Sequence, residues 1–196
     1  GDAAVRQVLN AYAAAQAANG HRDARHRIEH VEVIDPADIA RFATLGVVAS
    51  MQPCHVPPGG EGYLDLIGPA RGRHAFAQAD LREAGARVVL SSDWPIVPLE
   101  PMVTVQAALT RPLWGADGRD HRIDLATAIE GITAAAAWVA FDEDSRGSLR
   151  PGALADLTLM DRDLTSLSPE DLPASSVRLT LCGGRPTHDP EGLVGA

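Results

Sequence analysis

Apolar positions recur every three or four residues from Asp2 to Ala18, where Val5, Val8, Leu9 and Tyr12 fall on one helical face and Asn19-Gly20 supplies a stop. The period then changes. In RHRIEHVEV the β-branched residues Ile28, Val31 and Val33 predict a strand. Asp35-Pro36 offers an N-cap with proline at the first helical position, and Ile39, Phe42 and Leu45 form a short amphipathic helix closed by Gly46. VVASM predicts a second strand. After PCHVPPGGEG, rich in proline and glycine, a third helix is predicted from Arg71 to Ala84, stopped by Gly85, and RVVLSS is a third strand that leads into Asp93-Trp94-Pro95. Three passes of helix, glycine, β-branched strand and loop predict parallel strands joined by helical crossovers, hence an α/β sheet or barrel. In such folds ligand-handling residues gather at the carboxyl ends of the strands.

Beyond Pro101 the spacing predicts a helix from Met102 to Thr110, a loop containing Trp114, and a longer helix from Leu125 to Val139. The texture changes after residue 145. GSLRPGALADLTLMDRD has a Pro-Gly turn between short apolar stretches, and VRLTLCGGRPTHD reads as strand, Gly-Gly turn, strand. Two parts are therefore expected: residues 1–145 as the α/β part, and residues 146–196 as a small antiparallel unit packed beside it.

Composition narrows the chemistry. The chain has 196 residues, 45% hydrophobic, enough for a real core. Its formal charge of -9 opposes binding to phosphate backbones and anionic lipid surfaces, so neither nucleic acid nor membrane is an expected partner. All 17 basic residues are Arg, which removes a Schiff-base, P-loop or carbamylated lysine from these residues. No G-x-G-x-x-G follows any strand, so a dinucleotide site is disfavoured. The longest apolar run, ITAAAAWVAF, is too short to span a bilayer and reads as a buried helix. Cys54 and Cys182 make no disulfide framework and fit a reducing, cytoplasmic setting. The start at Gly1, inside a helix and without a Met, suggests a fragment whose upstream segment is missing.

HRIEH, residues 26–30, matches the H-x-x-E-H spacing of an inverted zinc-peptidase helix. Between Gly20 and Asp35-Pro36 there is no room for that helix. As a strand, His26, Ile28 and His30 share one face and Glu29 lies on the other, with the two imidazoles about 13 Å apart, too far to share a metal. The histidine at the carboxyl end is His30. Its plainer use is a core or surface histidine satisfied by a carbonyl, but Asp93 holds the equivalent place after RVVLSS, in phase with Val89 and Ser91. A carboxylate at the end of a buried strand is costly to desolvate unless it meets a metal or a donor. The competing use of Asp93 is as the N-cap of the next helix, which Pro95, Pro98 and Pro101 delay. His55, just after VVASMQP, either donates to a substrate oxygen or is an exposed loop residue. Cys54 beside it invites a Cys-His nucleophile, but sequence neighbours in extended chain point apart. His21, His74, His121 and His188 stand in polar or helical settings and are expected to be solvated, and Arg111 to form a salt bridge or reach an anionic substrate group.

In order, GDAAVRQVL, RHRIEH, FATLGVVASMQPCH, AGARVVLSSDWPIVPLEP, ITAAAAWVAF, GSLRPGALADLTLMDRD and VRLTLCGGRP resemble the C-terminal half of the metal-dependent amidohydrolase superfamily, specifically the amidohydrolase-3 group. The resemblance covers nearly the whole chain. It implies a (β/α)8 TIM-type barrel, with these strands as the sixth to eighth, and a small composite β-sandwich domain. It implies that His30 is the metal-ligand histidine of the sixth strand. Asp93 would close the eighth strand, touch the metal and act as general base, while His55 would lie near the substrate in the seventh-strand loop. Asp156 would be structural. The implied cofactor is one or two divalent metal ions, with zinc first in line.

The first-strand H-x-H and the fourth-strand lysine position of the pattern are absent, and the fifth-strand histidine would fall ahead of Gly1. A hydrolytic zinc site takes about three protein ligands plus water, of which His30 and Asp93 are two. The expected activity is hydrolysis of an amide or other non-peptide C–N bond in a small molecule through a metal-activated water. The competing expectation is a catalytically silent fragment that self-associates or pairs with a missing N-terminal half.

Overall fold

The computed structural model describes residues 1–57, 60, 62–114 and 118–194. Helix α1, Asp2–Asn19, buries Val5 and Leu9 and ends at Gly20, where φ is 79°. Strand β1, Arg27–Glu29, is followed by α2, Pro36–Leu45. The Asp35 side chain accepts from Ala37 N at 2.9 Å, and Gly46 adopts the left-handed conformation that closes the helix. Strand β2, Val48–Met51, leads into a single 3-10 turn at Pro53–His55. Strand β3 is Val88–Leu90. The three strands form one parallel sheet in the order β1-β2-β3, with Ile28 beside Ala49 and Ala49 beside Val88. Every residue of β2 and β3 is buried, as befits parallel strands covered on both faces.

After a short helix α3 at Tyr63–Ile67, the helix expected from Arg71 to Ala84 is broken: its first residues belong to α4, Pro69–Gly72, and its later ones to α5, Gln78–Glu83. The cause is tertiary. Ala75 leaves the helical path to form an antiparallel bridge with Val33, and Phe76 N donates to Glu32 O at 2.8 Å with φ at 49°. Helix α6, Pro101–Thr110, lies close to its expected bounds. The helix expected over 125–139 divides into α7, Leu125–Ile132, and α8, Ala134–Val139. At the break, the Thr133 hydroxyl donates back to Ile129 O at 2.6 Å, a local bond that competes with regular helix.

Leu9, Phe42, Met51, Leu81, Val105 and Leu172 are among the fully buried members of the main core. At the far end of the sheet, the Arg25 guanidinium stacks on the rings of Trp138 and Phe141, at 4.2 and 4.0 Å, and pairs with Glu143 at 2.6 Å. That contact fastens the ITAAAAWVAF segment to the chain just ahead of β1.

Residues after 145 carry a second sheet. Strands β4 (Leu157–Met160), β5 (Val177–Cys182) and β6 (Arg185–His188) are antiparallel in that order, and Gly183-Gly184 turns β5 into β6. The segment GSLRPG contributes a turn and no strand, with Leu149 85% exposed. Pro169–Ala174 forms 3-10 helix whose Leu172 enters the main core beside α6. Among the described residues, no helix is long and apolar enough to cross a membrane.

Candidate metal centre

Backbone conformation decides where the site residues point. The ladder of β1 stops at Glu29; His30 and Val31 then adopt φ of 72° and 48°, and Asp93, beyond β3, adopts 58°. Left-handed backbone is uncommon for non-glycine residues and strained for a β-branched one, and it collects at functional positions. Simple alternation therefore fails at the strand ends. His30 stays anchored through its N–H, which donates to Ser50 O at 2.7 Å. Glu32 is anchored through its own carbonyl, which accepts from Phe76 N. His55 closes the 3-10 turn after β2.

These turns bring His30, Glu32 and His55 together, each with one potential ligand atom, all within 4.8 Å of one another. His55 Nδ1 lies 3.4 Å from Glu32 Oε1, and His55 Nε2 lies 3.9 Å from Asp93 Oδ2. The His30 and His55 rings stack with centroids 5.9 Å apart. Tyr63 donates its hydroxyl to Glu32 Oε2 at 3.1 Å; burial, then the Glu32 charge, pushes the phenol above its ordinary pKa, so it remains a donor. Tyr63 is itself packed against Phe76 and Trp114. The four site residues border a cleft of about 520 Å³ that apolar Val5, Val8 and Ile96 also line.

Two observations bear on what the site would hold. His55 Nε2 is buried and has no hydrogen-bond partner, and a buried unpaired polar atom calls for an occupant of its space. Two imidazoles with one or two carboxylates are also the donor set that suits zinc and similar divalent ions. The residues present fit such an ion.

His30, His55 and Asp93 thus meet, as the spacing of the strand ends suggests. Glu32 escaped the sequence reading, although its place two residues beyond His30 was a usable signal. Asp93 is not a desolvated carboxylate, since its side chain is 41% exposed. Nor is it an N-cap: Glu100 caps α6. His26 stacks on Tyr12 at 4.6 Å, and Glu29 pairs with Arg27. Cys54 turns its sulfur to Thr104 Oγ1 at 3.7 Å, and burial raises its thiol pKa, so a nucleophilic thiolate is disfavoured. Asp156 accepts from Gly183 N at 2.7 Å, bracing the turn between β5 and β6.

Three expectations are corrected. Arg111 is buried, donates to the carbonyls of Ala75 and Pro112, and stacks on Trp114 at 5.1 Å; among the described residues no carboxylate pairs with it. His121 is fully buried, with Nε2 on Arg73 O at 2.9 Å. His74 is held by Asp80, Nδ1 to Oδ2 at 3.1 Å, rather than solvated. For Arg111 and His121 distant chain supplies the environment that neighbouring polar residues conceal, whereas for His74 the partner lies six residues on. Residues 58, 59 and 61, in the stretch PCHVPPGGEG, and 115–117, beside Trp114, lie outside the described residues.

The sequence profile of the amidohydrolase family matches residues 1–188. The protein LONG AFTER FAR-RED 3 of Arabidopsis thaliana is 34% identical over 194 residues, covering 94% of this chain and 32% of the relative. An uncharacterized metal-dependent hydrolase from Pyrococcus furiosus has a similar structure, with a TM-score of 0.64 and 26% identity over 78% of this chain and 30% of its own. An adenosine deaminase from Xanthomonas campestris, solved with bound zinc, matches at a TM-score of 0.62 and 18% identity, covering 94% of this chain and 44% of its own. The chain therefore spans about a third of the length of the plant relative.

Proposed function

The chain belongs to the amidohydrolase family, and from that premise we propose that it supplies part of a metal-dependent site hydrolysing amide or other non-peptide C–N bonds in small molecules. The observation that carries the proposal is the gathering of His30, Glu32 and His55 at the carboxyl ends of adjacent parallel strands, with Asp93 beside them. On this proposal β1, β2 and β3 would be the sixth to eighth strands of a (β/α)8 barrel, and the antiparallel unit would be part of a composite sandwich.

His30, Glu32 and Asp93 would hold a divalent ion, zinc before others, together with the Nδ1 edge of His55. When bound, such an ion lowers the pKa of a coordinated water to about 7 and polarises a carbonyl. Asp93, open to the cleft, takes a proton from the attacking water and returns it to the leaving nitrogen as the C–N bond breaks, giving a carboxylic acid and an amine. The Nε2 edge of His55, facing Asp93, donates to the substrate oxygen. Tyr63 keeps Glu32 oriented. In a protein of the relatives' length, Asp93→Asn should lower turnover of a panel of small amides and ureas by about 10²- to 10⁴-fold, with thermal melting unchanged. Unchanged turnover overturns the proposal.

A second reading draws on the open edges of the parallel sheet. Among the described residues, β1 and β3 each pair only with β2, and Leu157 and Leu159 of β4 are 36% and 46% exposed. Unpaired edges and exposed apolar side chains favour pairing with another chain or segment. On this reading, residues 1–196 by themselves are catalytically silent and associate with themselves or with the rest of a barrel. A strictly monomeric, active 196-residue chain in light scattering and assay would eliminate it.

A further inference from the structure

Gln52, the first residue after β2, is 3% exposed, and both ends of its amide are engaged at the strand ends. Oε1 lies 3.0 Å from His30 Nδ1, and Nε2 donates to Ser91 Oγ at 2.9 Å. Ser91 in turn follows β3 and donates its N–H to Met51 O at 3.0 Å. The amide is therefore fixed between β1 and β3, next to the site and outside the set of ligand-bearing side chains.

A neutral imidazole carries one proton, and only the unprotonated nitrogen can bind a metal. With Nδ1 engaged by Gln52, the nitrogen left for the cluster with Glu32 and His55 is Nε2. Were the amide reversed, its Nε2 would donate to His30 Nδ1, the proton would sit on His30 Nε2, and the ring would present a donor where a lone pair is required. We propose that Gln52 is a positioning residue that accepts from His30 Nδ1–H and so holds the His30 Nε2 lone pair toward the metal centre; this rests on the metal reading above. Ser91 keeps the amide in that orientation by accepting from its other end. Hydrogen bonds of this kind, behind the ligands, fix ring orientation and raise ligand basicity.

Two-bond ¹H–¹⁵N spectra of the metal-free 196-residue chain, recorded where imidazoles are neutral, report the tautomer directly, with His30→Gln identifying the His30 signals. Protonated Nδ1 and unprotonated Nε2 are expected at His30; the opposite tautomer overturns the proposal. Titration with Zn²⁺ alone against a competing chelator supplies the second arm. Gln52→Leu should mix the tautomers and weaken zinc binding by about 10- to 100-fold, while Gln52→Glu, which keeps the acceptor, should preserve both. Unchanged zinc affinity in Gln52→Leu, with the tautomer altered, overturns the positioning role. If Zn²⁺ leaves the wild-type His30 signals unmoved, the metal reading fails, and the metal-free spectrum still decides which way Gln52 points. Should Gln52→Leu not fold, the wild-type tautomer and the Gln52→Glu titration carry the decision.

Discussion

His74, Asp80 and His121 are the same kinds of residue as His30, Glu32 and His55, yet the fold uses them differently. Around Asp80 both carboxylate oxygens are engaged by cations or imidazole, although His121 Nδ1, 3.9 Å away, has no hydrogen-bond partner of its own. Arg119 donates to it at 2.7 Å, His74 lies on its other oxygen, and His121 spends Nε2 on the Arg73 carbonyl. Burial alone would raise the Asp80 pKa, but the bonds from Arg119 and His74 outweigh it and hold the carboxyl below its ordinary value. Around Glu32 and Asp93, among the described residues, no arginine pairs with either carboxylate, and a buried nitrogen of His55 is left over. An internally neutralised cluster is structure; one with unspent lone pairs facing a cleft is a site for something else. Residue type does not separate the two, whereas the presence of a counter-cation does.

The sharpest way to break this contrast is to remove one carboxylate from each cluster. In a protein of the relatives' length, Glu32→Gln should cut turnover by at least about 100-fold with little change in melting. Asp80→Asn should leave turnover per folded molecule intact and cost about 1–3 kcal/mol of stability, read as a fall in Tm of about 2–4 °C per kcal/mol. Exchange of these phenotypes would mean that the roles are reversed.

A smaller effect comes from pH. Burial lowers the His121 pKa below its ordinary value, against the pull of the Arg73 carbonyl. The unfolded chain therefore binds the His121 proton more readily than the folded one, so stability is lost as pH falls below the unfolded value of about 6.5 toward the lower folded one. Tm should decline over that interval, and His121→Asn should flatten the decline relative to wild type, whatever its own starting stability. Equal slopes would show that His121 is not the group responsible. Smallest of all is Arg119→Gln. That side chain is 38% exposed, so its loss should cost no more than about 1 kcal/mol in chemical denaturation. A larger loss would mean that Asp80 has no solvent to fall back on.

Much of the scaffold was legible because it rests on local rules. The strands lie inside RHRIEHVEV, VVASM and RVVLSS, the Asp35-Pro36 cap and Gly46 stop bound α2, and the Gly-Gly turn joins β5 to β6. What escaped depends on long-range packing. Left-handed backbone at Val31 runs against the preference of a β-branched residue, and histidine's mild tolerance of it at His30 is no local signature by itself. Without it, the spatial grouping of Glu32 with His30 and His55 is hidden. His121, in the polar stretch GRDHRID, looks solvated until Arg73, 48 residues away, offers it a carbonyl. The broken helix before Gln78 likewise answers to Val33, far upstream.

Strands β1, β2 and β3 are only three, four and three residues long, and ladders so brief do little to reject a neighbour slid by one place. A slide of one residue displaces a strand by about 3.3 Å, more than the whole length of the bonds from Gln52 to His30 and to Ser91. The glutamine thus works as an alignment pin through three parallel rails: it engages only when all three stand at the right height. A folding chain that closes this pin has checked its own topology at the place where its chemistry gathers, so assembly errors in the sheet and defects in the site share one point of inspection.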